Sequence, residues 1–356
     1  MTIGLDASYS LDRVPTGVAV YSSQLIRALA RAEPDERFLL CYRANRFLRA
    51  LQRPLPEPNC SRRLLEDFAC FLFRSRVAVF HGLNQRLPKC RFRRTVTTFH
   101  DLFVMTGDYS TLEFRARFTA LARDAAARSD QIIAVSDYTA RHVAELLGYP
   151  RDEISIIHHG LDPVPAFPAQ ELLAFRRERG LEAPFVLHVG ALQARKNIEG
   201  LIEAFEGIGA PYRLVLAGSL GYGAEKILRR IEQSPVAALI RHLDYVDRET
   251  LARLYRSAAV LAFPSLDEGF GLPVLEAMSA GLPVVTSDRG ALPEVAGDAA
   301  LIVDPEDPAA IRNALLDAIE DSVIRQRLIE AGVRRCDDFS WVKAAHETFR
   351  VYQKLV

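Results

Sequence analysis

Residues 264–276 read Pro264-Ser265-Leu266-Asp267-Glu268-Gly269-Phe270-Gly271-Leu272-Pro273-Val274-Leu275-Glu276, with seven residues between the two glutamates. Carboxylates accept hydrogen bonds from vicinal hydroxyls, and glycines let a backbone come close to a ligand. Pro273 suits the first turn of a helix, so Gly269, Phe270, Gly271 and Leu272 lie on the approach to an N-terminus whose amides attract phosphate. Separately, Glu276 could do no more than balance a helix dipole, and Glu268 could be a solvated loop carboxylate. Two glycines and a preceding apolar strand in the same segment favour a binding loop for a sugar or a ribose.

A second candidate follows the apolar run Phe185–Val189 as Gly190-Ala191-Leu192-Gln193-Ala194-Arg195-Lys196-Asn197. Asn197 suits the N-cap of a helix beginning at Ile198, which puts Arg195 and Lys196 at a helix N-terminus. Positive charge is unfavourable there unless an anion joins it, although a solvated pair is an equally simple reading. A third loop, Gly218 to Gly223, is glycine-dense without matching Gly-x-Gly-x-x-Gly, which argues against a nicotinamide cofactor. In the first half, Thr16-Gly17 opens a helix and His100 ends a strand, where an imidazole can reach a ligand but is more often structural. The eight histidines form no His-Glu-x-x-His, and no Asp-x-Asp is present to clamp a metal diphosphate, so the expectation is a site without metal or cofactor.

Parallel sheets must position these loops. Apolar β-branched runs alternate with helical patterns along the chain, the pattern of α/β domains with both sheet faces covered. One series runs from Ile3 to Ile157; a second opens at Phe185 after the stretch Pro163-Val164-Pro165-Ala166-Phe167-Pro168, the best linker candidate. The 356 residues suit two domains. The last segment, from Trp341, spaces its apolar residues for one helical face.

The chain carries 45 basic and 45 acidic residues, yet residues 1–160 hold 23 basic against 17 acidic. Within 37–94 the balance is 14 to 3, interleaved with Phe47, Leu48, Phe68, Phe71 and Leu72. Such a stretch is commonly a solvated face; with Arg46, Arg49 and Arg53 placed on one helical face, it also suits an anionic membrane surface. Five scattered cysteines and no run long enough to span a bilayer predict a cytoplasmic protein, peripheral on the inner membrane face where that stretch docks.

Gly190 through Asn197, the segment Glu268–Glu276 and Ser287 through Pro305 together resemble glycosyltransferase family 4, retaining enzymes with the GT-B fold. The similarity runs from Ile3 to the last helix. Through Phe99-His100-Asp101-Leu102 and Ile133-Ala134-Val135-Ser136 it leans toward bacterial mannosyltransferases of O-antigen and capsule assembly. It implies an α/β architecture of two Rossmann-like domains facing a cleft: an acceptor domain over 1–165, a nucleotide-sugar domain over 166–339, and a helix over 340–356 crossing back to the first. It implies a metal-independent transferase moving a hexose, mannose from GDP-mannose first of all, to a hydroxyl of a glycan or polyprenyl-linked acceptor. GDP-rhamnose, UDP-glucose or another UDP- or dTDP-sugar are the alternative donors.

The resemblance also distributes roles. Arg195 and Lys196 bind the diphosphate and stabilise its departure, Glu268 holds the sugar, and Glu276 the ribose. Backbone of Gly190 and of Gly269 to Leu272 surrounds sugar and phosphate, and Tyr245 and Val246 flank the base. Gly17 approaches the diphosphate and His100 the sugar. The family often has two glycines where this chain has Thr16-Gly17, a Pro-Asn-Gly signal where it has His158-His159-Gly160, and Glu-Pro where it has Gln193-Ala194. None of these departures removes a charged contact. The competing functions are a nucleotide-sugar epimerase, an oxidoreductase and a non-catalytic adaptor on the basic stretch; nucleic acid is not an expected partner.

Overall fold

Two wholly parallel sheets carry the chain in a computed structural model that describes residues 1–11 and 16–356. The first sheet contains Thr2–Asp6 (β1), Arg37–Tyr42 (β2), Cys60–Leu64 (β3), Val79–Gly82 (β4), Thr95–Phe99 (β5), Gln131–Ala134 (β6) and Ile154–Ile156 (β7), in the order β3-β2-β1-β4-β5-β6-β7. The second contains Phe185–Val189 (β8), Arg213–Ala217 (β9), Ile240–His242 (β10), Val260–Phe263 (β11), Val284–Ser287 (β12) and Leu301–Val303 (β13), in the order β10-β9-β8-β11-β12-β13. This is the two-domain GT-B arrangement that the resemblance implied. In each sheet the order reverses once, between β1 and β4 and between β8 and β11, and such reversals open a crevice at the carboxyl ends of the strands.

The chain forms two units, Met1–Gly107 with Thr111–Gly160 and Phe339–Val356, and Asp108–Ser110 with Leu161–Asp338. The first therefore ends at Gly160, a few residues before the Pro-rich stretch, which runs with the second unit. The helix Trp341–Leu355 returns to the first unit and lies against Gly17–Ala32, burying Trp341, Ala345, Phe349 and Tyr352. Gly160 makes that seat possible, because a Cβ there would sit 2.2 Å from the Trp341 backbone nitrogen.

Between that helix and the sheet lies a buried polar network. His81 shares hydrogen bonds with Tyr352 at 2.6 Å and with Thr98 at 2.7 Å, and Thr98 meets the Tyr21 hydroxyl at 2.9 Å. Burial lowers the imidazole of His81 to about 3 and that of His100 to about 4, and takes His159 well below its usual value. These rings stay neutral in the folded chain, whereas the unfolded chain protonates them below about pH 6.5. Their stabilising contribution is therefore complete above that pH and is lost as pH falls toward the folded values, by up to about 1.4 kcal/mol per pH unit for each ring. We expect the melting temperature to drop between pH 7 and pH 5 in a thermal scan; a flat profile would contradict neutral burial.

Helix Ala44–Leu51 ends before Arg53, so Arg53 does not share its face with Arg46 and Arg49, as the spacing suggested. Leu51 closes the last turn and the chain leaves the helix toward Pro54. Arg49 reaches across to donate to the Leu11 carbonyl at 2.8 Å.

Candidate functional site

Arg195, Lys196 and Glu268 gather where the strand order of the second sheet reverses, between β8 and β11. From β8 the chain passes Gly190, whose φ of 141° is glycine territory, and turns through Ala194–Lys196 into the helix Ile198–Glu206. Asn197 begins that helix with a left-handed backbone (φ 55°) but makes no side-chain cap; its amide instead donates to the Pro305 carbonyl at 2.6 Å. From β11 the chain passes Gly269 and Phe270, both buried, to Gly271, whose φ of 104° admits the turn into Leu272–Ser279. Pro273 occupies the first turn, as its position in the sequence implied.

The two loops are stitched together. Leu266 donates its amide to the Arg195 carbonyl at 2.8 Å, and the Arg195 guanidinium donates to the Asp267 carbonyl. Arg195 also lies 2.9 Å from Glu268, and the Lys196 ammonium donates to the same Glu268 oxygen. Lys196 Nζ stands 4.6 Å from the centre of the Phe263 ring, on the face that attracts a cation. All three charged residues are more than nine-tenths buried. Burial alone would raise the Glu268 carboxyl, but the two cations outweigh it and hold the group at about 2. Two buried cations thus stand side by side at the carboxyl ends of β8 and β11, where an arriving anion can meet both.

Glu276 has different company. It is half-buried in the second turn of its helix and accepts a 2.8 Å hydrogen bond from Tyr255. Burial raises its carboxyl, against the lowering effect of that bond. Glu276 and Tyr255 line a cavity of about 360 Å³ with Arg248, Asp162 and Phe167. The two glutamates that spacing grouped thus face different surroundings, one among cations and one beside a hydroxyl.

Tyr245 and Val246 follow β10, the first exposed and the second half-buried. Their loop turns on Asp244, a non-glycine residue at φ 53°, whose side chain accepts the Tyr245 amide at 2.8 Å and whose carbonyl accepts the Gly218 amide at 2.8 Å. Gly218 in turn allows the loops after β8 and β9 to touch, since a Cβ there would lie 2.0 Å from the Gly190 carbonyl oxygen.

In the first unit, Gly17 is exposed at the start of Gly17–Ala32, where Thr16 accepts the Ala19 amide at 3.3 Å. His100 is buried, donating from Nε2 to the Leu83 carbonyl at 2.9 Å, with Nδ1 3.3 Å from His159.

Sequence reasoning passed over several residues that shape the site: Phe263 under Lys196, Tyr255 beside Glu276, and Gly290. Gly290 has φ 65°, and a Cβ on it would stand 2.6 Å from the Glu268 carbonyl oxygen and 2.7 Å from its amide nitrogen. That carbonyl also accepts the Ala291 amide at 2.8 Å, so the loop after β12 carries the backbone of Glu268. The signal was a glycine in Asp288-Arg289-Gly290-Ala291-Leu292-Pro293, just before a short helix. We expect Gly290→Ala to displace Glu268 and cost about 1–3 kcal/mol of stability through backbone overpacking, read as a lower denaturant midpoint. Wild-type stability would show that this contact is relaxed.

Two family models match the chain, Glycosyltransferase Family 4 over residues 15–164 and Glycosyl transferases group 1 over residues 170–335. The chain is 31% identical to O-antigen chain mannosyltransferase B of Escherichia coli, across 96% of this chain and 96% of that protein. It is 29% identical to the serotype-specific mannosyltransferase WbdA of Escherichia coli, across 74% of this chain and 34% of that longer protein. Its fold is similar to sucrose-phosphate synthase from Thermosynechococcus elongatus, with a TM-score of 0.81 at 22% identity, covering 100% of this chain and 99% of the other.

Proposed function

We propose, since this chain belongs to glycosyltransferase family 4, that it transfers a hexose from a nucleotide sugar to a hydroxyl of a glycan or polyprenyl-linked acceptor in cell-surface polysaccharide synthesis. Mannose from GDP-mannose is the favoured donor, because the relative matched end to end is a mannosyltransferase of O-antigen chains. The observation that carries the proposal is the buried cluster of Arg195, Lys196 and Glu268 at the strand reversal.

Cleaving a sugar–diphosphate bond places negative charge on the leaving phosphate. In the proposed complex Arg195 and Lys196 meet that charge from a buried position, where a fixed cation is worth far more than in water. They supply what a metal supplies elsewhere, so turnover needs none. Glu268 exchanges its cations for hydroxyls of the transferred sugar, and Glu276 takes the ribose, with Gly190 and the backbone from Gly269 to Leu272 around sugar and phosphate and with Tyr245 and Val246 beside the base. Gly17 and His100 are carried by resemblance alone, to the diphosphate and the sugar. Retention of configuration is likewise carried by the family resemblance, with the acceptor attacking on the face that the phosphate leaves.

The test is a panel of GDP-, UDP- and dTDP-sugars assayed for donor hydrolysis and transfer with EDTA present. GDP-mannose is expected to be consumed most rapidly, with an α-linked product. Preference for a UDP-sugar would reassign the donor, and epimerisation without transfer would overturn the proposed reaction.

The proposed location is the cytoplasm, against the anionic face of the inner membrane. No helix among the described residues is long and apolar enough to cross a membrane. Leu48, Phe68, Phe71 and Leu72 are each more than two-thirds exposed within the basic stretch, and the Ala44 amide, at the start of the helix bearing Leu48, donates to Glu66 at 2.9 Å, just before the segment that bears the other three. Exposed apolar side chains in an arginine-rich stretch, with Arg74 over the Phe71 ring, suit insertion between anionic headgroups. We expect co-sedimentation with phosphatidylglycerol vesicles but not with phosphatidylcholine, weakened by Phe68→Ser with Leu72→Ser; binding indifferent to lipid charge would remove the membrane from the proposal.

A further inference from the structure

His188 lies beneath the cation pair, in β8, and no sequence signal marked it. Its side chain is fully buried and its ring stacks on Phe263, centres 5.8 Å apart and planes 16° from parallel. Nδ1 stands 3.0 Å from the Ala262 carbonyl, an acceptor only, so Nδ1 carries the proton and Nε2 bears a lone pair. That lone pair has no hydrogen-bond partner among the described residues. A buried acceptor without a donor is costly, and such orphans concentrate where a ligand or a moving group completes them.

The surroundings identify the group that completes it. A Cβ built on Gly190 would lie 3.8 Å from His188 Nε2 and 3.7 Å from Lys196 Nζ, so both atoms border the space that the missing side chain leaves. The same Phe263 ring that stacks on His188 carries the Lys196 ammonium on its face. An ammonium has three donors, and in the present arrangement one is given to Glu268. On the reading proposed above, sugar hydroxyls take Glu268 when the donor binds, and Lys196 must then hold its place by other contacts.

We infer that His188 is a positioning residue for Lys196: its Nε2 lone pair accepts a hydrogen bond from the ammonium and holds it over Phe263, pointed at the diphosphate, as soon as a diphosphate enters the site, and keeps it there when Glu268 turns to the sugar. Gly190 keeps the space between them open, and its lack of a side chain is part of the device. Neutrality of the ring is what makes it useful; burial, with Lys196 adding to it, lowers His188 to about 4, so it accepts rather than repels.

This inference rests on the proposed function, and the test separates the two. Calorimetry on the full chain would compare GDP and UDP with the corresponding nucleosides, in the wild type, His188→Phe and His188→Gln. Phe keeps the stack on Phe263 without a lone pair, and Gln returns an acceptor near the Nε2 position. We expect His188→Phe to bind the diphosphate about ten- to a hundredfold more weakly, with nucleoside affinity unchanged, and His188→Gln to recover most of the loss. In the wild type, the ¹⁵N resonance of His188 Nε2 is expected to move toward the hydrogen-bonded range when the diphosphate is added, a readout that requires no variant. Equal diphosphate affinity in wild type and His188→Phe, equal losses of nucleoside and diphosphate binding, or an unmoved resonance in the diphosphate complex would each overturn the role of His188. Absence of diphosphate binding by the wild type would instead overturn the proposed function from which it follows.

Discussion

Lys196→Ala is expected to lower kcat by about 100- to 1,000-fold while KM for the donor changes far less. The ammonium is buried and lies over the Phe263 ring, and so is already in position before charge develops on the leaving phosphate. A preorganised cation acts most strongly on the state in which the negative charge is greatest, which is the transition state and not the bound donor. Arg195, held at the Glu268 carboxylate and by the Asp267 carbonyl, retains part of the effect in the variant. The fold survives, because removing one of two cations leaves Glu268 still paired. Steady-state kinetics on purified protein checks this, and near wild-type turnover would remove Lys196 from the reaction.

Glu268→Ala should act on both stability and turnover. In the wild type the carboxylate pairs with two cations that are each more than nine-tenths buried. Removing one partner of a buried ionic cluster typically costs about 3–5 kcal/mol, because the remaining charges face each other without compensation. An anion replaces what was lost, so a nucleoside diphosphate is expected to raise the melting temperature of Glu268→Ala by more than it raises that of the wild type. Turnover stays low even with the diphosphate site occupied, since the variant has no carboxylate for the sugar hydroxyls. Thermal scans with and without GDP or UDP, alongside transfer assays, test the two halves separately. Equal ligand-induced shifts would show that Glu268 does not restrain the cations, and normal turnover would remove it from sugar binding.

How much of this was legible in the sequence varies with the range of the interaction involved. Strands that lie inside a sheet announce themselves by apolar runs, such as Val260–Phe263 and, broken only by His188, Phe185–Val189. The edge strands Cys60–Leu64 and Ile240–His242 do not, because an edge tolerates the arginines found in both. Asn197 was legible as the start of a helix but not as a left-handed residue whose amide serves Pro305 instead of the helix. Arg53 looked like a member of a helical face because periodicity carries no information about where a helix stops when no strong breaker falls inside it.

The amino-acid sequence by itself determined the elements, their alternation and the kinds of chemistry in each loop: glycines before a helix, an adjacent pair of cations, and two carboxylates at a fixed spacing. These are local properties, set by propensity, turn chemistry and the charge on each side chain. Tertiary structure alone decided the partners. It placed the loops after β8 and β11 side by side, so that Arg195 and Lys196 share Glu268, although the carboxylate is more than 70 residues away in the chain. It gave Glu276 to Tyr255, set Gly290 against the Glu268 backbone, and left the Nε2 of His188 beside Lys196 with a lone pair to offer. The physical reason is that burial multiplies electrostatic effects, and burial depends on which strands are neighbours, a consequence of the order β10-β9-β8-β11-β12-β13 that local spacing does not encode.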